Sequence, residues 1–405
     1  MKDSVEMSSA EQEFISLLSH HLNSSQKIKK LAIAKTDLDQ DRSKEAVACY
    51  VTGKSVIGLS LRDLQLTQIP DEVFSFKKLR YLDVSGNDIT SVPAALSDLS
   101  ELRNLVIAGN KIGDLPNLEN LKSLMVLDAD DNKMVHIGAD ICTLKQLRMI
   151  SIYGNKILTL PSQLNNLRKL EKLNVANNQL RFLPDGLFDL TNLQSLNLSR
   201  NQITSIPPLI RKMNKLTMLN ISRNQLDEIP PEIGKLKSLE SHLYLGHNFL
   251  TSLPNSFANL TKLRYIHIGY NNFEVFPECI RKMIGLVELR AENNRFNHVP
   301  DWIGELKNLR FLHLSLNNLP VIPDSITNLS SLSKLTLRNC GLTSVPDKIG
   351  SLKKLRYLDL RANILVELPP SIKSLSNLEK LDLRWLKLSS KSADLSTLSN
   401  CTIYD

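Results

Sequence analysis

Residues 170–184 read LEKLNVANNQLRFLP. Leu173 and Val175 alternate with Asn174 and Ala176, the pattern of a strand with one face buried. An asparagine follows at 178, then a second apolar pair ending in Leu183-Pro184. The same frame returns as LRYLDVSGNDITSVP from Leu79, LRNLVIAGNKIGDLP from Leu102 and LRYLDLRANILVELP from Leu355. Written out it is LxxLxLxxNxLxxLP followed by xxIxxLxx, with a period of 23. Fifteen copies begin at Val56, Leu79, Leu102, Leu124, Leu147, Leu170, Leu193, Leu216, Leu239, Leu263, Leu286, Leu309, Leu332, Leu355 and Leu378. A fortuitous amphipathic pattern would not hold that register over residues 56–389.

A lone strand of this kind cannot bury its leucines. Stacking successive copies builds a parallel sheet over a continuous apolar core. Parallel neighbours lie about 4.8 Å apart, so fifteen strands would span roughly 70 Å. Twelve copies carry asparagine in the turn: Asn87, Asn110, Asn132, Asn155, Asn178, Asn201, Asn224, Asn248, Asn271, Asn294, Asn317 and Asn363. An amide placed in an apolar core needs partners, and the sharp turn after each strand leaves backbone groups for it. The exceptions are Cys340 and, in the first and last copies, Leu64 and Leu386. Terminal repeats are expected to be atypical. Proline follows the second turn in every connecting segment but one, where Gly138 stands. Its fixed φ and missing N–H suit a back wall of short helical turns and extended chain.

This frame resembles the leucine-rich repeat family over residues 56–389. The LP followed by xxIxxLxxL is similar to the short class found in Ras-suppressor, Scribble-like and Ras-binding scaffold proteins. The resemblance implies an α/β solenoid, a curved horseshoe with a concave parallel sheet, acting as a non-enzymatic adaptor in intracellular signalling, including with small GTPases. The alternative is a regulatory or substrate-recognition subunit of a phosphatase, ligase or kinase complex.

The ends differ from the array. Residues 1–55 hold SSAEQEFISLLSHHL, with a capping-box pattern at Ser8 and Glu11, and predict a helix from Ala10 to Leu22 that caps the first repeat. Residues 390–405 form a tail with only Leu395, Leu398 and Ile403 to bury; it is a minimal cap, or another chain covers that edge. The first residues are polar and of mixed charge, and no stretch is apolar enough to span a membrane. Five dispersed cysteines without a CxxC pair fit reduced thiols. The expectation is a cytoplasmic monomer. The net charge of +8 is diffuse, without the dense basic tract that nucleic acid or lipid would need.

In such a solenoid the leucines are structural, and information lies in the variable strand positions. Copies nine to twelve carry His242, Tyr244 and His247, then Tyr265, His267 and Tyr270, then Glu288, Arg290 and Glu292, then Phe311 and His313. Tyrosine, arginine and large apolar residues dominate interface hot spots. The candidate protein-binding site is therefore His242, Tyr244, His247, Tyr265, His267, Tyr270, Arg290, Phe311 and His313. A competing reading has these rings stacking on one another for stability alone. A metal or catalytic histidine site is disfavoured, because Arg290 stands between His267 and His313 in the same column and no nucleophile has an activating frame. No cofactor is expected. Copy nine also holds an extra residue: Glu240, Ser241 and His242 separate Leu239 from Leu243. It is either a bulge that re-aims His242 or a tolerated insertion. Arg338, Arg361 and Arg384 form a further column beside Asp359 and Asp382, either a self-neutralised ladder or a dock for an acidic surface.

Overall fold

The computed structural model describes residues 32–34, 47–52, 55–389 and 395–405. The chain divides into two compact units, Met1–Asn197 and Leu198–Asp405, built on the same plan.

In the first unit the strands are β1 (Ala32–Ala34), β2 (Val47–Thr52), β3 (Ser55–Leu61), β4 (Tyr81–Asp83), β5 (Asn104–Val106), β6 (Val126–Asp128), β7 (Met149–Ser151), β8 (Lys172–Asn174) and β9 (Ser195–Asn197). From β3 onward each strand lies parallel to its predecessor, with Leu59 against Leu82, Leu82 against Leu105, and so on to Leu196. Ahead of the first repeat, β2 runs antiparallel to β3 with a break in register between Tyr50 and Val51, and β1 pairs parallel to β2. The described part of the segment expected to be a helical cap is thus β-structure. The helix expected over residues 10–22 lies outside the described residues.

The second unit holds β10 (Met218–Asn220), β11 (His242–Tyr244), β12 (Tyr265–His267), β13 (Glu288–Arg290), β14 (Phe311–His313), β15 (Lys334–Thr336), β16 (Tyr357–Asp359), β17 (Lys380–Asp382) and β18 (Thr402–Tyr404), all parallel. The tail therefore adds one more strand: Ile403 sits beside Leu381, and Leu398 is buried. This covers the last repeat with the chain's own backbone.

The central residue of every three-residue repeat strand, Leu82 through Leu381, is at most 3% exposed. Behind the sheet, the prolines open short 3₁₀ turns such as Pro231–Lys235 and a single-turn α-helix, Asp185–Phe188, as the fixed φ of proline favours. Gly138 holds φ −65° and ψ 151° and so adopts the proline geometry it replaces. Phe257, Phe273 and Phe296 fill the core beneath β11–β14, with Phe276 stacked on Phe296 at 4.1 Å.

The asparagines hold the turns. Asn110 Nδ2 donates to Val84 O (3.0 Å) in the preceding repeat and to Ile107 O (3.0 Å) in its own, while Oδ1 accepts from Ile89 N at 3.1 Å. Asn155 and Asn224 repeat the arrangement. Cys340 substitutes through its thiol, which donates to Leu314 O at 3.3 Å, and its backbone N–H goes to Asn363 Oδ1 at 2.9 Å. Leu64 N likewise donates to Asn87 Oδ1 at 2.9 Å. The residue before each turn amide is left-handed. Gly86 fills that place with φ 68°, and a Cβ there would lie 2.0 Å from the Asp63 carboxylate. His247, Tyr270, Leu316 and Ala362 take the same conformation with φ between 56° and 61°.

Asn224→Leu would leave the Leu198 and Ile221 carbonyls and the Ile203 N–H short of a partner. A loss of roughly 1–3 kcal/mol is expected in urea unfolding. Ala362→Gly removes the Cβ from a left-handed site and should stabilise by up to about 1 kcal/mol; a lower urea midpoint would contradict it.

Candidate functional site

Side chains alternate along a strand, so with Leu243, Ile266, Leu289 and Leu312 buried, the two flanking residues of each strand share the opposite face. The register makes two columns. His242, Tyr265, Glu288 and Phe311 form one; Tyr244, His267, Arg290 and His313 form the other. Rings on adjacent parallel strands must then touch. His242 and Tyr244 are coplanar to within 3° at 5.6 Å, His242 meets Tyr265 at 5.1 Å, and Tyr244 meets Tyr265 at 4.8 Å. In the following turn His247 stacks on Tyr270 at 4.0 Å and meets His267 edge-on at 6.2 Å.

The rings are half-buried against each other, and the deeper histidines more so. The His267 and His313 side chains are only 12% and 13% exposed. His267 lies across Gly246: a Cβ there would come within 2.6 Å of the imidazole. The corresponding column reads Ser199, Ser222, Gly246, Gly269 and Glu292, so the sequence carries a trace of this cradle in two successive glycines beside the histidine. Arg290 binds Glu292 Oε1 through Nε at 3.0 Å and Nη2 at 2.8 Å. His267 Nε2 and Glu292 Oε2 are buried without a hydrogen-bond partner, with Glu292 Oε1 3.7 Å from the imidazole. His313 Nδ1 lies 3.3 Å from Thr336 Oγ1, and its Nε2 lies 3.6 Å from Glu288 Oε1.

Burial, with Arg290 next, pushes the His267 pKa down to about 4. Burial does the same to His313, down to about 4, against the pull of Glu292. Burial raises the Tyr265 phenol to about 12 although Arg290 hydrogen-bonds to it. These groups carry no proton exchange near neutral pH. Among the described residues no three His, Cys, Asp or Glu side chains gather to hold a metal ion, and no helix is long and apolar enough to cross a membrane.

The structure thus brings His242, Tyr244 and Tyr265 into one cluster, and His247, Tyr270 and His267 into a second. Arg290 and His313 join Glu288 and Glu292 beside them. Phe311 stands at the margin, with the Arg310 guanidinium 5.6 Å from its ring. The extra residue is absorbed before β11. Ser241, not Glu240, donates to Thr217 O (3.1 Å), while Arg264 donates to Glu240 O (3.1 Å). The chain bulges there, and strand register is kept on both sides, His242 facing Met218 and Tyr265. Ser241 Oγ lies 2.5 Å from His242 Nδ1, a contact that spacing alone did not show.

In the arginine column, Arg361 is held by Asp359 at 3.0 and 2.9 Å and Arg384 by Asp382 at 2.9 and 2.7 Å. Arg338 lies 6.0 Å from the exposed Trp385 ring and has no carboxylate partner among the described residues.

The histidine shifts set a pH response. An unfolded histidine titrates near 6.5, and His267 and His313 titrate near 4 when folded. Between those values the unfolded chain binds protons that the folded chain does not. Stability is therefore full above about pH 6.5, falls as pH drops through the window, and levels off below about 4. Each group contributes on the order of 3 kcal/mol to that fall. Wild type should lose stability faster than a His267→Gln, His313→Gln variant between pH 6.5 and 4; parallel urea-midpoint curves would contradict this.

Comparison with known proteins follows the same architecture. Residues 58–153, 102–225, 208–318 and 294–402 match a family described as a leucine-rich repeat region. No curated protein matches the chain. The structure is similar to a leucine-rich repeat protein of Leptospira interrogans, at 29% identity and a TM-score of 0.81, covering 85% of this chain and 94% of that one. It is also similar to a TDR receptor, at 28% identity and a TM-score of 0.75, covering 86% of this chain and 63% of that one. An internalin of Listeria monocytogenes shares the fold at 23% identity and a TM-score of 0.55, covering 86% of each chain. With its repeats, its turn asparagines and the family match spanning residues 58–402, the chain belongs to the leucine-rich repeat family.

Proposed function

We propose that this chain binds a partner protein through the ring-bearing face of β11–β14, without chemistry of its own. The leucine-rich repeat fold is typically a scaffold for protein–protein interaction. The observation that carries the site is the tyrosine–histidine cluster on one sheet face. Rings stacked on their neighbours have already lost their rotamer freedom, so contact with a partner costs little further ordering. The same stacking also serves stability, and the two roles are compatible. His242, Tyr244, Tyr265, His247 and Tyr270 are the contact residues in this reading, Arg290 and Phe311 extend the patch, and the buried His267 and His313 support it from beneath.

We place the interaction in cytoplasmic signalling, with a small GTPase as the partner implied by resemblance. Five free cysteines, four of them buried, support a reducing compartment. The protein acts as a monomeric adaptor in this reading.

The test is paired affinity capture from native lysate with quantitative mass spectrometry. One bait is the full chain; the other carries Tyr244→Ala and Tyr265→Ala, with its fold checked by circular dichroism. His267 is left intact because its burial makes it structural. A partner retained only by the first bait supports the patch, and its affinity should fall about thirtyfold on loss of a hot spot of roughly 2 kcal/mol. Equal capture by both baits sinks the patch. A captured GTPase bound in a nucleotide-dependent way supports signalling. Capture of a phosphatase, ligase or kinase catalytic subunit supports the regulatory-subunit alternative.

A further inference from the structure

At the N-terminal edge of β14–β17 the chain carries a second feature, independent of the ring cluster. Arg310, Ser333, Arg356 and Glu379 each precede the first residue of their strand, and the backbone N–H of each of the last three donates to the carbonyl of the member before it at 2.8–2.9 Å. Two residues upstream, Ser331, Lys354 and Asn377 form a parallel line. The serines are short where their neighbours are long and cationic. A notch of about 370 Å³ is lined by Arg310, Ser331, Ser333, Lys354, Arg356 and Asn377, with the Glu379 carboxylate also in its lining.

Four side-chain donors in this notch have no acceptor among the described residues. Among the described residues the Ser331 and Ser333 hydroxyls and the Lys354 ammonium have no hydrogen-bond or ion-pair partner. The Arg310 guanidinium lies 5.6 Å from the Phe311 ring and has no acceptor among the described residues. Arg356 is paired with Glu379 Oε1, at 2.7 Å from its Nε, and so contributes shape more than free charge. Asn377 is tied to Lys353 O at 2.6 Å, which fixes that side of the notch. Two unneutralised cations and two free hydroxyls around one cavity complement a compact dianion with several acceptor oxygens. A phosphomonoester has three such oxygens and nearly two charges at neutral pH; a carboxylate has two oxygens and one charge.

We propose that the notch of Arg310, Ser331, Ser333, Lys354 and Arg356 binds a phosphomonoester, presented by a phosphorylated protein side chain or by free phosphate. Arg310 and Lys354 supply the charge, and the serine hydroxyls donate to the remaining oxygens.

The test is isothermal titration of the full chain with inorganic phosphate and with a blocked tripeptide bearing a central phosphoserine. The unphosphorylated tripeptide is the control. Arg310→Gln with Lys354→Gln removes both free cations from the surface. Lys133→Gln with Lys156→Gln removes the same charge from the other unit. The notch variant should bind phosphate at least about tenfold more weakly, while the control pair changes affinity less than about twofold. Binding of the phosphopeptide should also weaken below about pH 6, where the phosphomonoester dianion takes up a proton. Peptide binding about tenfold tighter than phosphate assigns a protein-borne group; equal binding assigns free phosphate. No binding of either probe at about 10 mM, or equal loss in both variants, overturns the proposal.

Discussion

A primary amide buried in a leucine core has more hydrogen-bonding groups than the side chains around it can satisfy. In this chain the backbone satisfies them. Asn110, like Asn155 and Asn224, joins the carbonyls of its own turn to a carbonyl and an N–H of the repeat before it, so one residue does two jobs. It closes the turn after the strand, and it locks that turn to its neighbour. The three-residue strands would be too short to hold a sheet alone. Their register follows from the ladder of amides as much as from their own hydrogen bonds.

The ladder has a local cost. The residue before each amide must be left-handed, which suits Gly86, Gly109 and Gly154 and strains His247, Tyr270 and Leu316. At β11–β14 the chain accepts that strain with rings in the strained positions. The result is His247 stacked on Tyr270 beside a buried His267 that needs glycine beneath it. The left-handed position recurs in every repeat, but here it carries rings, next to imidazoles kept neutral by burial. Such a patch is better suited to contact than to catalysis, since burial holds His267 and His313 down to about 4 and Tyr265 up to about 12.

The insertion in copy nine shows the tolerance of this plan. An added residue is taken up before the strand, where Ser241 N–H donates to the preceding repeat while the Glu240 carbonyl accepts from the following one. Past that point the leucine at 243 and the amide at 248 restore the register. The shortest repeat, between Leu102 and Leu124, solves the opposite problem by omitting the 3₁₀ turn, with Leu118 N bound instead to Asp140 Oδ2 at 2.8 Å. Length variation is confined to the connections because the strand and the amide turn leave no slack.

The repeat, the parallel strands, the buried leucines, the turn asparagines and the short back wall were all legible in the sequence. Each depends on contacts between positions one period apart, and a fixed period places those contacts without any knowledge of tertiary structure. The columns of the candidate site were legible for the same reason. What only the tertiary structure decided was depth and partnership. Alternation says that His267 and Tyr265 share a face; it does not say that Gly246 and Gly269 let the imidazole sink until it loses its charge. Spacing did set Asp359 and Asp382 beside Arg361 and Arg384 and left Arg338 without an acidic residue in its own repeat, but it could not show that two serines among long cations leave a notch of unpartnered donors. The ends follow the same rule. Cys401–Tyr404 lacks the repeat frame, and its place as a closing strand beside β17 came from the edge it covers rather than from any pattern of its own.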